Sequence, residues 1–101
     1  MNKAPEMPVR FYCTDAGGAP VLDWLRSLDK DDRRAIGLDL IRVQFGWPIG
    51  RPLVRSLKDG LGEVRSALPS HRIARLILVL SRPDARHTAW IHQENAENTY
   101  G

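Results

Sequence analysis

Leu61-Gly62-Glu63-Val64-Arg65-Ser66-Ala67-Leu68, then Pro69-Ser70-His71, then Arg72-Ile73-Ala74-Arg75 and the run Leu76 to Leu80, reads as a β-hairpin. Its first arm alternates, with Val64 and Leu68 set against Glu63 and Arg65. Its second arm begins basic and ends as an unbroken apolar run. A turn centred near Pro69 and Ser70 puts Arg65 opposite Arg75 on the neighbouring strand. Like charges facing each other across a sheet destabilise it, by roughly 0.2–1 kcal/mol. Two arginines so placed invite an anion between them, because guanidinium groups grip phosphate in a bidentate fork. The alternative is two solvated side chains balanced by acids close in sequence, Glu63 and Asp59.

Working outward, 101 residues with 43% hydrophobic and 27% charged side chains suit one small domain with a modest core. Residues 1–92 are expected to form that domain, and 93–101 a polar, frayed tail. No segment has the apolar length needed to span a bilayer. The start, Met1-Asn2-Lys3-Ala4-Pro5-Glu6, lacks an apolar signal core, so a cytoplasmic location is expected. The single Cys13 cannot close an internal disulfide, which agrees with a reducing compartment, and inside a strand it reads as a small buried hydrophobe. Charge is unevenly placed. Residues 1–50 hold seven basic and seven acidic side chains, whereas 51–86 hold eight basic against three acidic, an excess of five. The excess lies on and around the hairpin, as a polyanion partner would require.

Before the hairpin, Val9-Arg10-Phe11-Tyr12-Cys13, within Pro8 to Thr14, has the β-branched and aromatic content of a short strand, and Gly17-Gly18 breaks it. From Ala19, Val21, Trp24, Leu25 and Leu28 recur at helical spacing. Asp29 then reads as the N-cap of a second helix running to about Phe45, with Asp32 as its box-like partner. Ile36, Leu40 and Val43 form that helix's apolar stripe, widened by Leu38 and Ile41, and Gly46 and Pro48 end it. Trp24 and Trp47 read as core packing. Gly50 to Ser56 is a loop or short extended segment carrying Arg51 and Arg55. After the hairpin, Ser81-Arg82-Pro83-Asp84-Ala85 is a second turn, and Thr88 to His92 can add a further strand. The order of elements gives an α+β domain: a small, mainly antiparallel sheet with two N-terminal helices packed on one face.

Several chemistries find no support. His71, His87 and His92 lack the close Cys, His and carboxylate grouping of a zinc site. There is no glycine-rich phosphate loop before a helix, and no Ser/His/Asp arrangement. No metal, membrane or small-molecule cofactor is expected.

The strings Val9-Arg10-Phe11-Tyr12, Pro20-Val21-Leu22-Asp23-Trp24-Leu25, Gln44-Phe45-Gly46-Trp47-Pro48 and Pro52-Leu53-Val54-Arg55 belong together with a second set. That set is Leu57-Lys58-Asp59-Gly60-Leu61, Glu63-Val64-Arg65-Ser66 and Arg72-Ile73-Ala74-Arg75. Over roughly residues 8–80 they resemble the phage-derived, HigB-like branch of the RelE/ParE toxin superfamily. The resemblance implies a RelE-like toxin fold, an antitoxin partner encoded beside it, and cleavage of messenger RNA on the translating ribosome. It implies that Arg65 and Arg75 stabilise the transition state, while Lys58, Arg72 and Arg55 hold the RNA backbone. A gyrase poison of the ParE kind is an alternative, since the fold does not set the target.

Two departures stand out. Gly62 replaces the family's usual Trp before the Glu of the first hairpin strand, removing a packing group. The end is the larger one. Such proteins finish with a strand like Leu-His-Gly-Phe, a Lys-Lys-Thr-Gln-Lys-Thr-Pro segment and a last helix. This chain instead runs His87-Thr88-Ala89-Trp90-Ile91-His92-Gln93-Glu94-Asn95-Ala96-Glu97-Asn98-Thr99. Back-translated and moved one nucleotide forward, these codons permit Ile-Leu-His-Gly-Phe-Thr-Lys-Lys-Thr-Gln-Lys-Thr-Pro. A slip of reading frame between about Ser81 and Arg86 accounts for every position. It replaces three positive charges by two negative ones and displaces the family's terminal-strand His, leaving His92 as a weak substitute. A remnant that binds its antitoxin and cleaves nothing is therefore a further alternative.

Overall fold

The strands pair around the hairpin expected from the sequence. The computed structural model describes residues 4–81 and 88–98. In chain order the elements are β1 (Val9–Phe11), α1 (Pro20–Ser27), α2 (Lys30–Gly46), β2 (Val54–Ser56), β3 (Leu61–Ala67), β4 (Arg72–Ser81) and β5 (Thr88–Asn98). They form one five-stranded sheet in the order β1-β5-β4-β3-β2. Every pairing is antiparallel except that of β1 with β5, so the sheet is mixed but mainly antiparallel.

Four residues, Leu68 to His71, join β3 to β4, and the pair Leu68–Arg72 closes the last three of them into a tight loop. The Leu68 N–H donates to the Arg72 carbonyl at 2.9 Å, and the His71 N–H to the Leu68 carbonyl at 3.0 Å. His71 takes φ +63°, the left-handed residue with which loops of this length commonly close. Histidine is among the few non-glycine residues enriched there.

One face of the sheet is covered. Val64, Leu76, Leu78, Ala89 and Ile91 are buried with Val21 and Leu25 of α1 and with Ile36, Leu40 and Val43 of α2. The expected helical stripe is too wide by two residues: Leu38 and Ile41 are 53% and 51% exposed. At about 100° per residue, Leu38 lies far round the helix from Ile36 and cannot reach a sheet on one side only. With Phe45, also exposed, these residues make an open apolar row at i, i+3 and i+7.

The capping expectation is corrected too. Asp29 is the N-cap residue, but its side chain makes no cap hydrogen bond. Asp32, 3% exposed, turns instead to the hairpin, accepting from the Ser70 N–H at 3.2 Å and the Ser70 hydroxyl at 2.6 Å. One buried carboxylate thus fastens the start of α2 to the β3–β4 turn.

Strand β1 is shorter than Pro8 to Thr14. Although the Tyr12 N–H still donates to the Ile91 carbonyl at 3.0 Å, Thr14 and Gly18 then bond each other and bend the chain away. Gly17 sits at φ +90°, a conformation that suits glycine. Cys13 is exposed, not a buried strand residue.

The larger correction concerns Gln93 to Asn98, expected to fray. The backbone of β5 pairs with β4 from Thr88 opposite Ser81 through to Asn98 opposite Arg72. The ten-residue β4 needs partners for its backbone groups on that edge whatever side chains supply them. The turn expected at Ser81 to Ala85, and the place where the reading frame would slip, lie outside the described residues except for Ser81.

Replacing Asp32 by Ala should cost about 1–3 kcal/mol, because it strips a buried acceptor from two donors; urea unfolding would read it. A Cβ added at Gly62 would meet the Leu78 Cβ and the Arg55 carbonyl at 3.9 Å, ordinary contact distances. Gly62→Ala should therefore stabilise the chain by about 0.4–1 kcal/mol, and a lower midpoint in the same titration would refute this.

Candidate functional site

Pleating puts alternate residues on opposite faces, and directly paired residues on the same one. Val64 and Ser66 of β3, and Ala74 and Leu76 of β4, are buried under the helices. Arg65 and Arg75 therefore lie on the other face, which no helix among the described residues covers. They are direct partners in the register, as the length of the turn requires. Arg65 is exposed and Arg75 half-buried. Asn95 of β5 is the partner of Arg75 on the next strand.

Arg55 reaches the same face on β2, opposite Glu63. Its Nε is 3.8 Å from the Glu63 carboxylate, whose side chain is 8% exposed against 45% for Arg55. Glu63, read from the sequence as a possible counter-charge to the arginine pair, is thus engaged with Arg55. A buried carboxylate tied to one cation gives Arg55 a structural duty before any other.

The remaining expected phosphate binders do not gather with the pair. Arg72 is three residues from Arg75 on β4, so its side chain starts from the opposite face. Lys58 is exposed in the β2–β3 turn, beyond the far end of β3, and Leu61 alone is already about 13 Å from Arg65 along the strand. His92 is the extra residue of a β-bulge, between the pairs Ile77–Gln93 and Leu78–Ile91. Its backbone lies three residues along β5 from Asn95.

What the sequence did not point to is a cleft beside Arg65. Strand β2 begins at Val54, opposite Val64, so β3 runs on past it from Arg65 to Ala67 without a strand beside it. There the Arg65 N–H donates to the Leu53 carbonyl at 2.8 Å. A cleft of about 460 Å³ opens at that edge between α2, Pro52, Leu53 and Arg65. Helix α2 contributes Asp39 and Arg42. The Asp39 carboxylate accepts from the hydroxyl of Ser66, which is fully buried, and from Arg42 Nη1 at 3.2 Å. The Asp39 side chain is 19% exposed. The i, i+3 spacing of Asp39 and Arg42 was the available signal, but on a helix surface it ordinarily means a solvated pair.

Among the described residues no group of three or more His, Cys, Asp or Glu could hold a metal ion. Nor is any helix there long and apolar enough to cross a membrane. Compared with protein-family models, curated proteins and solved structures, the chain matches none.

Two guanidinium groups in register on an open face can hold one phosphate. Thermal unfolding in phosphate and in chloride at matched ionic strength reads this directly. Phosphate at ten times its dissociation constant should stabilise the chain by about 1.4 kcal/mol over chloride, and Arg65→Gln should remove the difference. An equal difference in the variant would place the anion elsewhere.

Proposed function

We propose that the chain is a HigB-like toxin of the RelE superfamily, a ribosome-dependent mRNA endonuclease of the cytoplasm held in check by an antitoxin. The observation that carries this proposal is the direct cross-strand pairing of Arg65 with Arg75 on the face away from the described helices, with Arg65 also lining a cleft. The α+β architecture, with two helices on one side of a mainly antiparallel sheet, agrees with it.

In such a reaction the ribose 2′-oxygen attacks the neighbouring phosphorus and the 5′-oxygen departs, leaving a 2′,3′-cyclic phosphate and a 5′-hydroxyl. The pentacoordinate phosphorus carries extra negative charge. Guanidinium donors already held in place stabilise that charge more than they stabilise the starting diester. Guanidinium groups keep their protons at neutral pH, so the arginines are electrostatic and not acid–base groups. The proton leaving the 2′-hydroxyl needs another acceptor, for which His92, in the strand next to β4, is a weak candidate.

A second reading keeps the fold and drops the chemistry. The strand beside the arginine pair, Thr88 to Asn98, holds two glutamates and neither lysine nor arginine. Each missing phosphate contact lowers the salt-dependent part of RNA affinity. A chain of this kind would occupy an antitoxin and cut nothing. The open apolar row Leu38, Ile41 and Phe45 is a surface on which such a partner could be held.

Translation extracts charged with a defined mRNA separate these cases. The nuclease should produce cuts only when ribosomes are present, and Arg65→Ala or Arg75→Ala should slow cutting by about 10²–10³-fold. Cutting unaffected by both substitutions would reject the site. An uncut message, restored to cleavage by a frame-corrected tail, would establish the remnant. Gyrase–DNA breaks would establish the poison.

A further inference from the structure

The cleft beside Arg65 differs in make-up from the open face around it. Pro52 and Leu53 before β2 and Ile73 on β4 give it apolar walls, while Asp39, Arg42 and Arg65 give it polar groups of both signs. Its volume, about 460 Å³, is that of a small-ligand site, where apolar surface holds a ring and a few polar groups orient it.

Asp39 is the discriminating group. A carboxylate offers about four lone-pair positions. The Ser66 hydroxyl engages one oxygen and Arg42 the other. Partial exposure of the Asp39 side chain leaves its remaining acceptor positions within reach of the cleft. Two acceptor oxygens side by side match two adjacent N–H donors. Among the four RNA bases only guanine presents such a pair on its Watson–Crick edge, from N1 and the exocyclic amine. Adenine and cytosine set a ring-nitrogen lone pair beside their amine, and uracil flanks its single N–H with two carbonyls. Each of these would bring acceptor against acceptor, leaving polar groups desolvated without a bond.

We propose that this cleft is a guanine pocket, with the base between Pro52, Leu53 and Ile73, its donor edge on Asp39, and the attached phosphate on Arg65. The proposal rests on the RNA reading above and adds to it the base held beside the bound phosphate. Its geometry depends on residues 39 to 73 alone, so it stands whatever the origin of the tail.

Calorimetric titration of the full chain with nucleoside 3′-monophosphates tests it. Guanosine monophosphate should bind at least about tenfold tighter than the inosine, adenosine, cytidine and uridine compounds. Inosine is the sharpest comparison, since it lacks only the exocyclic amine. Asp39→Asn should bring guanosine down to the level of the rest, and Arg65→Gln should weaken all five by a common factor. If Asp39→Asn does not fold, the ligand series decides alone. Equal affinity for guanosine and inosine, or a guanosine preference that survives Asp39→Asn, would overturn the pocket. Selective binding by a chain that cuts no message would uphold the pocket and reject the nuclease. Ribosome-dependent cutting without guanosine selectivity would do the reverse.

Discussion

The pairing of β3 with β4 is the constraint on which the rest of the molecule depends. Seven consecutive residue pairs, from Leu61–Val79 to Ala67–Ile73, set which side chains face the helices. A slip of one residue would carry Val64, Leu76 and Leu78 to the open face and bring charged groups into the core. The same register produces the Arg65–Arg75 pair, so correct burial on one side enforces a like-charge contact on the other. Asp32 fastens this arrangement from outside the sheet. By accepting twice from Ser70, it fixes the turn relative to α2, and with it the distance across which Ser66 meets Asp39.

The helices cover one face only, and this asymmetry divides the chemistry. Under them lie the apolar residues and the two hydroxyl–carboxylate contacts. On the other side lie Arg55, Arg65 and Arg75, among half-buried Leu61, Ile73, Ile77 and Val79. Arginine suits such a surface, because its apolar stem packs along it while its planar head carries charge and several N–H donors. Glu63 shows what happens when a charge on this face becomes buried: it takes Arg55 as its ion-pair partner. The cleft forms where β3 runs on past the first residue of β2, so a missing length of strand, and not an added element, creates the concavity.

The elements that could be read from the sequence were those declared by local pattern. The arms of the hairpin, the turn at Pro69 to His71 and the Arg65–Arg75 register all follow from alternation and a short loop. Helix boundaries followed from spacing, glycine and proline. The errors came where a residue's partner is distant in the chain. Asp32 looked like a local cap because Ser70, 38 residues away, leaves no local trace. Leu38 and Ile41 looked buried because periodicity does not tell how much of a helix the sheet can cover. Asp39 went unnoticed for the same reason, its partner Ser66 being 27 residues away. The separation of Lys58 and Arg72 from the arginine pair is a matter of strand length and pleat, visible only once the register is laid out.

Strand β5 carries the most instructive mismatch. Gln93 to Asn98 is polar, lacks alternation, and contains asparagine and glutamate, which strands disfavour. It pairs nonetheless, because the long apolar β4 presents a row of backbone donors and acceptors that an extended chain of almost any composition can satisfy. Backbone pairing is indifferent to the reading frame in a way that a phosphate site is not. The peptide backbone is the same whatever side chains it carries, and Thr88, Trp90 and Ile91 are good strand formers. The sheet can therefore close at full width whatever side chains Gln93 to Asn98 carry. Fold and activity depend on different properties of the same residues, and a change at the end of the chain can preserve one while removing the other.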